Sequence, residues 1–242
     1  MFATIAGRYD LLNHLFSGNT DKRWRRFVAK KAAQRHPPAR EPFVLDVACG
    51  TGDLSLELKR TGFQRVVGID FCRPMLELAA RKSERKLALL EGDALLLPFA
   101  DASFDLLTIG FGLRNLANVG AGLSELRRVL KPGGTLYVLE FSKPVIPGFS
   151  KLFEFYFKRV LPPIGDAVNG RQGAYVYLSD SVQRFPDQKG LVGLMREAGF
   201  AEVEYKNLTG GIAALHTGVR ANEVPKNLIG GQSPHLASNQ KT

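Results

Sequence analysis

The chain has 242 residues, 45% of them hydrophobic and 23% charged, which fits one globular α/β domain and excludes a disordered or fibrous chain. Its net charge of +10 gathers early, on Arg8, Lys22, Arg23, Arg25, Arg26, Lys30, Lys31, Arg35 and Arg40, a patch that suits nucleic acid, an anionic membrane surface or a solvated helix face. Two cysteines, Cys49 and Cys72, and the scattered His14, His36, His216 and His235 exclude a disulfide framework and a metal centre.

In chain order, the first predicted element is a helix over residues 21–35, with Asp21 as its N-cap and Trp24, Phe27, Val28 and Ala32 on one side. The prolines of His36-Pro-Pro-Ala-Arg-Glu-Pro42 end it. Phe43-Val-Leu-Asp-Val-Ala48 then reads as a buried parallel strand leading into glycines. The alternation repeats with a strand from Arg65 to Asp70 and a helix from Pro74 to Lys86, whose apolar face is Met75, Leu76, Leu78 and Ala79. A third strand runs from Leu87 to Asp93, a fourth from Phe104 to Gly110, and a helix from Val119 to Leu130. Lys131-Pro-Gly-Gly134 is a turn, and Thr135 to Phe141 is a fifth strand.

This rhythm predicts a parallel sheet covered by helices on both faces, with ligands at the carboxyl ends of its strands. Past residue 148 it changes. Phe149 to Leu161 is aromatic and helical, with Lys151, Lys158 and Arg159 interleaved, and Pro162-Pro-Ile-Gly165 breaks it. A helix from Pro186 to Ala198 precedes two strands, Ala201 to Asn207 and Ala213 to Arg220, which have no long crossover between them. They read as an antiparallel hairpin at one sheet edge. From Ala221 the chain is polar and reads as a disordered tail, so the folded domain is expected over 1–220. No apolar run approaches the ~20 residues that cross a bilayer. The start also lacks the apolar core of a secretory leader, so a cytoplasmic location is expected.

Chemistry concentrates at the strand ends. In Asp46-Val-Ala-Cys-Gly50-Thr51-Gly52-Asp53 the glycines let backbone approach a ligand, and the following helix offers free N–H groups. A dinucleotide fingerprint needs a third glycine where this chain has Ser55. Asp46, ahead of the loop, suits a cofactor carrying an ammonium and a sulfonium better than a pyrophosphate. Asp70 lies 18 residues beyond Gly52, at a strand end where a carboxylate accepts from ribose hydroxyls. Asp93 ends the third strand, and with Ala94 it is placed to meet an adenine amino group. Three acidic strand ends need partners if buried. Together they point to S-adenosylmethionine, with a nicotinamide-dependent oxidoreductase as the reading from another class.

After the fourth strand comes Gly110-Phe-Gly-Leu-Arg114-Asn115. The Asn/Asp-Pro-Pro-aromatic motif with which nucleic-acid amino-methyltransferases grip an exocyclic amine is absent, which disfavours a nucleic-acid amine as acceptor. Arg114 and Asn115 offer donors for an oxygen on an acceptor ring, or a loop clamp.

Several ordered stretches resemble the ubiquinone/menaquinone biosynthesis C-methyltransferase family across nearly all of residues 1–220. One signature reads Tyr9-Asp10-Leu-Leu-Asn13-His-Leu-Phe-Ser17-Gly-Asn-Thr-Asp21-Lys-Arg-Trp24, with Asp21 where the family has histidine. A second, Arg-Val-Leu-Lys-Pro-Gly-Gly with a later Glu-x-Ser, is met by Arg128 to Gly134, Glu140 and Ser142. Further stretches are Phe111-Gly-Leu-Arg-Asn115, Pro186-Asp-Gln188 and Asn207 to His216. The resemblance implies a Rossmann-like class I methyltransferase fold. That fold has a mostly parallel seven-stranded sheet, helices on both faces, a C-terminal antiparallel hairpin and a helical cap over the site from residues 1–40. It also implies C-methylation of a polyprenylated quinol ring by S-adenosylmethionine, with family cofactor contacts on Thr51, Asp70, Asp93 and Ala94. Gly110 stands where the family often has serine, so only backbone serves there. A methyltransferase acting on another small molecule or RNA is the runner-up.

Methyl transfer from a sulfonium is an in-line displacement, so alignment and desolvation are the protein's main tasks. Arg114 and Asn115 are expected to hold the quinol oxygen, with Tyr9 and Asp10 closing the site. Asp10, Glu140 and His216 are the candidate bases for the ring proton, unless water takes it. The segment from Phe149 to Leu161 is expected to cover the prenyl tail or lie in an interface. Expected partners are the quinol, a transient membrane surface at the inner face of the cell membrane and a second copy in a homodimer, but not nucleic acid.

Overall fold

In the computed structural model, which describes residues 19–146 and 181–222, the apolar runs become seven strands. These are β1 (Phe43–Val47), β2 (Arg65–Asp70), β3 (Ala88–Glu91), β4 (Phe104–Gly110), β5 (Leu130–Phe141), β6 (Phe200–Leu208) and β7 (Ala213–Arg220). The helices over the described residues are α1 (Thr20–Arg35), α2 (Asp53–Arg60), α3 (Arg73–Lys82), α4 (Val119–Val129) and α5 (Gln188–Glu197). One sheet results, ordered β3-β2-β1-β4-β5-β7-β6. The first five strands pair in parallel, and β7 runs antiparallel to both β5 and β6. Strand order reverses between β1 and β4, where an open α/β sheet leaves its ligand crevice.

The period-two alternation of the strands divides the core into two layers. Leu45, Val47, Leu107, Ile109, Leu136 and Val138 face Leu123 and Leu126 of α4 and Leu191 and Met195 of α5. Val44, Leu106, Tyr137 and Leu139 face Trp24, Val28 and Ala32 of α1 and Leu54 and Leu58 of α2. Each such leucine removed from water contributes roughly 1.5–3 kcal/mol. Asp46 and Thr108 fall on the α1–α2 side of this alternation, and Glu140 and His216 on the α4–α5 side.

Most boundaries fall within a residue or two of the sequence reading, and four of the differences have a local cause. Asn19 caps α1 in the left-handed region at φ 61°, while Asp21 is buried inside the first turn and ion-paired to Arg25. Asp21 is therefore no cap. Helix α3 stops at Lys82, because Glu84 and Arg85 turn to positive φ. Strand β3 stops at Glu91, and Asp93 instead closes a tight turn by pairing with Leu96. Strand β5 begins at Leu130, which pairs with Phe104 before the ladder resumes at Thr135 opposite Leu106. The Lys131–Gly134 turn survives inside it as a bulge, with Gly133 at φ 77°. Tyr9, Asp10 and the rest of residues 1–18 of the expected cap, the 149–161 segment and nearly all of the expected tail lie outside the described residues.

Candidate active site

Strand β1 delivers the chain into the turn Ala48-Cys49-Gly50-Thr51-Gly52, from which α2 starts. Gly52 sits at φ 82°, and a Cβ there would lie 3.2 Å from the Ala79 side chain of α3, so both conformation and packing require glycine. A Cβ at Gly50 would meet no atom within 4 Å, because that residue borders open space. The loop therefore offers backbone as the wall of a cradle.

Two of the three acidic strand ends are buried. Asp46 is 1% exposed, and its carboxylate accepts from Ser55 Oγ at 2.6 Å and Thr108 Oγ1 at 2.7 Å. Burial pushes its pKa up to about 6, against the two hydroxyls and the nearby Arg25 cation, which favour the ionised form. Asp70 accepts from the Gly50 N–H and the Cys72 N–H, each at 2.8 Å. Burial raises its pKa too, and the N–H groups of Cys72, Gly50 and Phe71 oppose the rise. Asp93 is exposed and accepts from the Leu95 N–H at 2.9 Å.

Two cavities meet along the loop. One is lined by Ile69, Asp70, Phe71, Met75, Asp93, Ala94 and Asn115 among others. The second is lined by Arg25, Asp46, Cys49, Thr51, Asp53 and Leu54. Ala48, Gly50 and Gly110 border both, so the two form one trough. Its apolar end suits a base, Asp70 in the middle suits ribose hydroxyls, and its charged end suits an amino-acid group. Thr51 is buried at that charged end, where Lys82 Nζ lies 3.5 Å from its hydroxyl. These residues fit S-adenosylmethionine.

Beyond β4, the chain enters a short helical turn, Leu113–Asn115, through a strained residue. Phe111 has φ 59°, a conformation that costs a bulky side chain about 1–3 kcal/mol. Its N–H donates to Leu139 O at 2.7 Å, and its carbonyl accepts from Arg114 Nη1 at 2.7 Å and Asn115 Nδ2 at 3.3 Å. Its ring packs on Phe141, with centroids 4.7 Å apart, and faces Trp24 at 6.1 Å. Arg114 also donates from Nη1 to Glu140 Oε2 at 2.8 Å, in a pair whose side chains are 6% and 1% exposed. The Arg114 Nε is buried with no hydrogen-bond partner among the described residues. So the structure brings Arg114, Asn115 and Glu140 together around the Phe111 carbonyl, and only Asn115 of the three borders the trough.

His216 stands apart, on β7. It is buried, its Nε2 lies 3.0 Å from Gln188 O, its Nδ1 has no partner among the described residues, and burial lowers its pKa. Ser55, Thr108, Phe111 and Arg25 escaped the sequence reading as site residues. Only Ser55, standing where a dinucleotide loop has glycine, left a signal that could have found it.

A sheet of this order with a glycine cradle after β1 and a buried carboxylate ending β2 defines a class I S-adenosylmethionine-dependent methyltransferase. Solved structures share the fold. A SAM-dependent methyltransferase of Thermotoga maritima superposes with a TM-score of 0.63 at 22% identity, covering 90% of this chain and 97% of that one. Phosphoethanolamine N-methyltransferase 2 of Haemonchus contortus, solved with S-adenosylhomocysteine, gives 0.54 at 15% identity over 75% of this chain and 49% of that one. The chain belongs to the ubiE/COQ5 methyltransferase family, which it matches over residues 1–220. Demethylmenaquinone methyltransferase of Thermus thermophilus is 49% identical, over 91% of this chain and 100% of its own length. The enzyme of the same name from Deinococcus radiodurans is 49% identical over 90% of each chain, and UbiE of Dinoroseobacter shibae is 42% identical over 90% of this chain and 88% of its own.

A pH dependence follows from Asp46. A cationic donor favours the ionised carboxylate, whereas the free protein takes up a proton as pH falls through about 6. Binding must then expel that proton. Calorimetric titration with S-adenosylhomocysteine, whose ammonium remains, should show affinity falling by up to about tenfold per pH unit below that point. Asp46→Asn should flatten the upper part of this fall. A wild-type affinity constant from pH 5 to 8 would refute the linkage.

Proposed function

We propose that this protein transfers the methyl group of S-adenosylmethionine to a ring carbon of a polyprenylated quinol, either 2-demethylmenaquinol or 2-polyprenyl-6-methoxy-1,4-benzoquinol. The observation that carries the reading is the chain-long likeness to relatives named for this chemistry, two of them 49% identical. The bound cofactor supplies an electrophilic methyl group on a sulfonium. The chain's task is to seat an electron-rich ring carbon behind that methyl and keep water out. Phe111, which borders the trough and is backed by Phe141 and Trp24, supplies an aromatic wall for a flat ring. Asn115, on the trough, is the direct contact for the quinol oxygen, and Arg114 holds the turn that presents it. Tyr9 and Asp10, outside the described residues, are the proposed contributors from the N-terminal segment.

Of the three candidate bases, Glu140 already accepts from the Arg114 side chain and from the Phe111-clamping turn at the Arg114 N–H. His216, held neutral by burial, keeps a lone pair on Nδ1 if Nε2–H donates to Gln188 O. Asp10 or water completes the set. No described helix is long and apolar enough to cross a membrane. Contact with an anionic surface falls to the exposed Lys22, Arg23, Arg26, Lys30 and Lys31 of α1, at ~1 kcal/mol each near the lipid. Deleting the gene and identifying the quinones by mass spectrometry tests the reading. A quinone one methyl group lighter should accumulate, and an unchanged profile would overturn it.

A further inference from the structure

We propose that Arg25 anchors the carboxylate at the amino-acid end of the bound donor, so that helix α1 is latched onto the site by the cofactor itself. The proposal rests on the cofactor assignment and concerns a residue outside the sheet that forms the site. Three observations carry it. First, Arg25 is 8% exposed, and it borders the smaller cavity together with Asp46, Thr51 and Asp53. This is the end of the trough beyond Gly50, opposite the one lined by Phe71 and Asp93. A nucleoside with its ribose at Asp70 and its base at the Phe71 end projects its amino-acid arm here.

Second, the guanidinium is only partly committed. Its contacts with Asp21 and, at 3.8 Å, with Asp53 both fall on Nη1. The plane also lies 5.6 Å from the Phe111 ring centroid. Nη2 and Nε have no hydrogen bond among the described residues, and a carboxylate takes two parallel N–H bonds from such a fork.

Third, the charges balance. The cations Arg25 and Lys82 stand with the carboxylates Asp21, Asp46 and Asp53, where Lys82 pairs with Asp53. Among the described residues at this end, two positive and three negative groups leave one net negative charge. The donor, with one carboxylate, one ammonium and one sulfonium, carries one net positive charge. Arg25 takes its carboxylate, and Asp46 and Asp53 face its cations. Because Arg25 belongs to α1 and the loop to the sheet, a filled trough ties the two together.

The test separates this role from a purely structural one. Calorimetry compares S-adenosylhomocysteine with 5′-methylthioadenosine, which keeps the nucleoside and lacks the amino-acid arm. Arg25→Met should weaken S-adenosylhomocysteine at least ~10-fold and leave 5′-methylthioadenosine within about twofold, and Arg25→Lys should recover part of the loss. Since Arg25→Met removes the Arg25 partner of the buried Asp21, the double variant Asp21→Asn/Arg25→Met is measured beside it and should show the same selective loss. Equal weakening of both ligands, or no change in S-adenosylhomocysteine, overturns the proposal. A wild-type protein that bound neither ligand would remove the cofactor assignment and the proposal with it.

Discussion

Asp70→Ala is expected to weaken S-adenosylhomocysteine binding by about 10²–10⁴-fold. Two ribose hydroxyls donating to one carboxylate contribute about 1.5–3 kcal/mol each, and 1.4 kcal/mol is one decade. The carboxylate has a second task in the free protein. It accepts from Gly50 N and Cys72 N, so it fixes the cradle before the ligand arrives. Alanine removes both functions and leaves the buried Cys72 N–H without its acceptor. Asp70→Asn should fall between, because its amide keeps one acceptor oxygen but presents an NH₂ to the other donor. Asp93→Ala should cost about tenfold or less, since that side chain is exposed and its loss strands no buried group. Calorimetry on the three variants checks the order. A larger loss in Asp93→Ala than in Asp70→Ala would reverse the assignment of the middle and the end of the trough.

What the sequence disclosed is whatever repeats or sits at a fixed offset. The strand runs, the glycine turn and the carboxylates ending β1 and β2 are local patterns, and the alternation of strand and helix implies the parallel sheet. The hairpin was legible because residues 208–213 are too few for a crossover helix. Other features depend on contacts between distant residues. Thr108 meets Asp46 across 62 positions, Arg114 meets Glu140 across 26, and Trp24 Nε1 reaches Thr209 Oγ1 across 185. No offset along one strand or helix encodes these. Asp21 misled for a different reason. Aspartate before a helical run is the usual cap, but here its charge is taken by Arg25 one turn later, and backbone geometry at Asn19 starts the helix instead. Arg25 itself looked like one cation among many in a basic patch, and only burial distinguishes it from its exposed neighbours Lys22, Arg23 and Arg26. The resemblance across Tyr9 to Trp24 and Arg128 to Ser142 named the chemistry, whereas the fold alone left the acceptor open.

The second large effect is expected at the buried pair. Arg114→Ala removes one partner of an ion pair at 2.8 Å whose side chains are 6% and 1% exposed, and it leaves the Glu140 carboxylate uncompensated. Such a loss costs about 3–5 kcal/mol, and a domain of this size loses about 2–4 °C of melting temperature per kcal/mol. The variant should therefore melt about 6–20 °C lower. Arg114→Met/Glu140→Gln removes the charges together and keeps an acceptor oxygen for one of the Arg114 and Phe141 N–H groups, which Glu140 now serves through separate oxygens. It should regain part of the stability, because no buried charge is left alone although one N–H loses its acceptor. Turnover should not return with it. Arg114 Nη1 also holds the carbonyl of Phe111, whose left-handed backbone has to be restrained if its ring and Asn115 are to keep their places. A misplacement of about 1 Å at a methyl-transfer site costs on the order of 10²-fold in rate. The double variant should thus keep S-adenosylhomocysteine affinity and melt above Arg114→Ala while kcat stays about 10²-fold down. Recovery of kcat alongside stability would show the pair to be a strut and no more. Unchanged melting of Arg114→Ala would mean that the pair is not closed in solution.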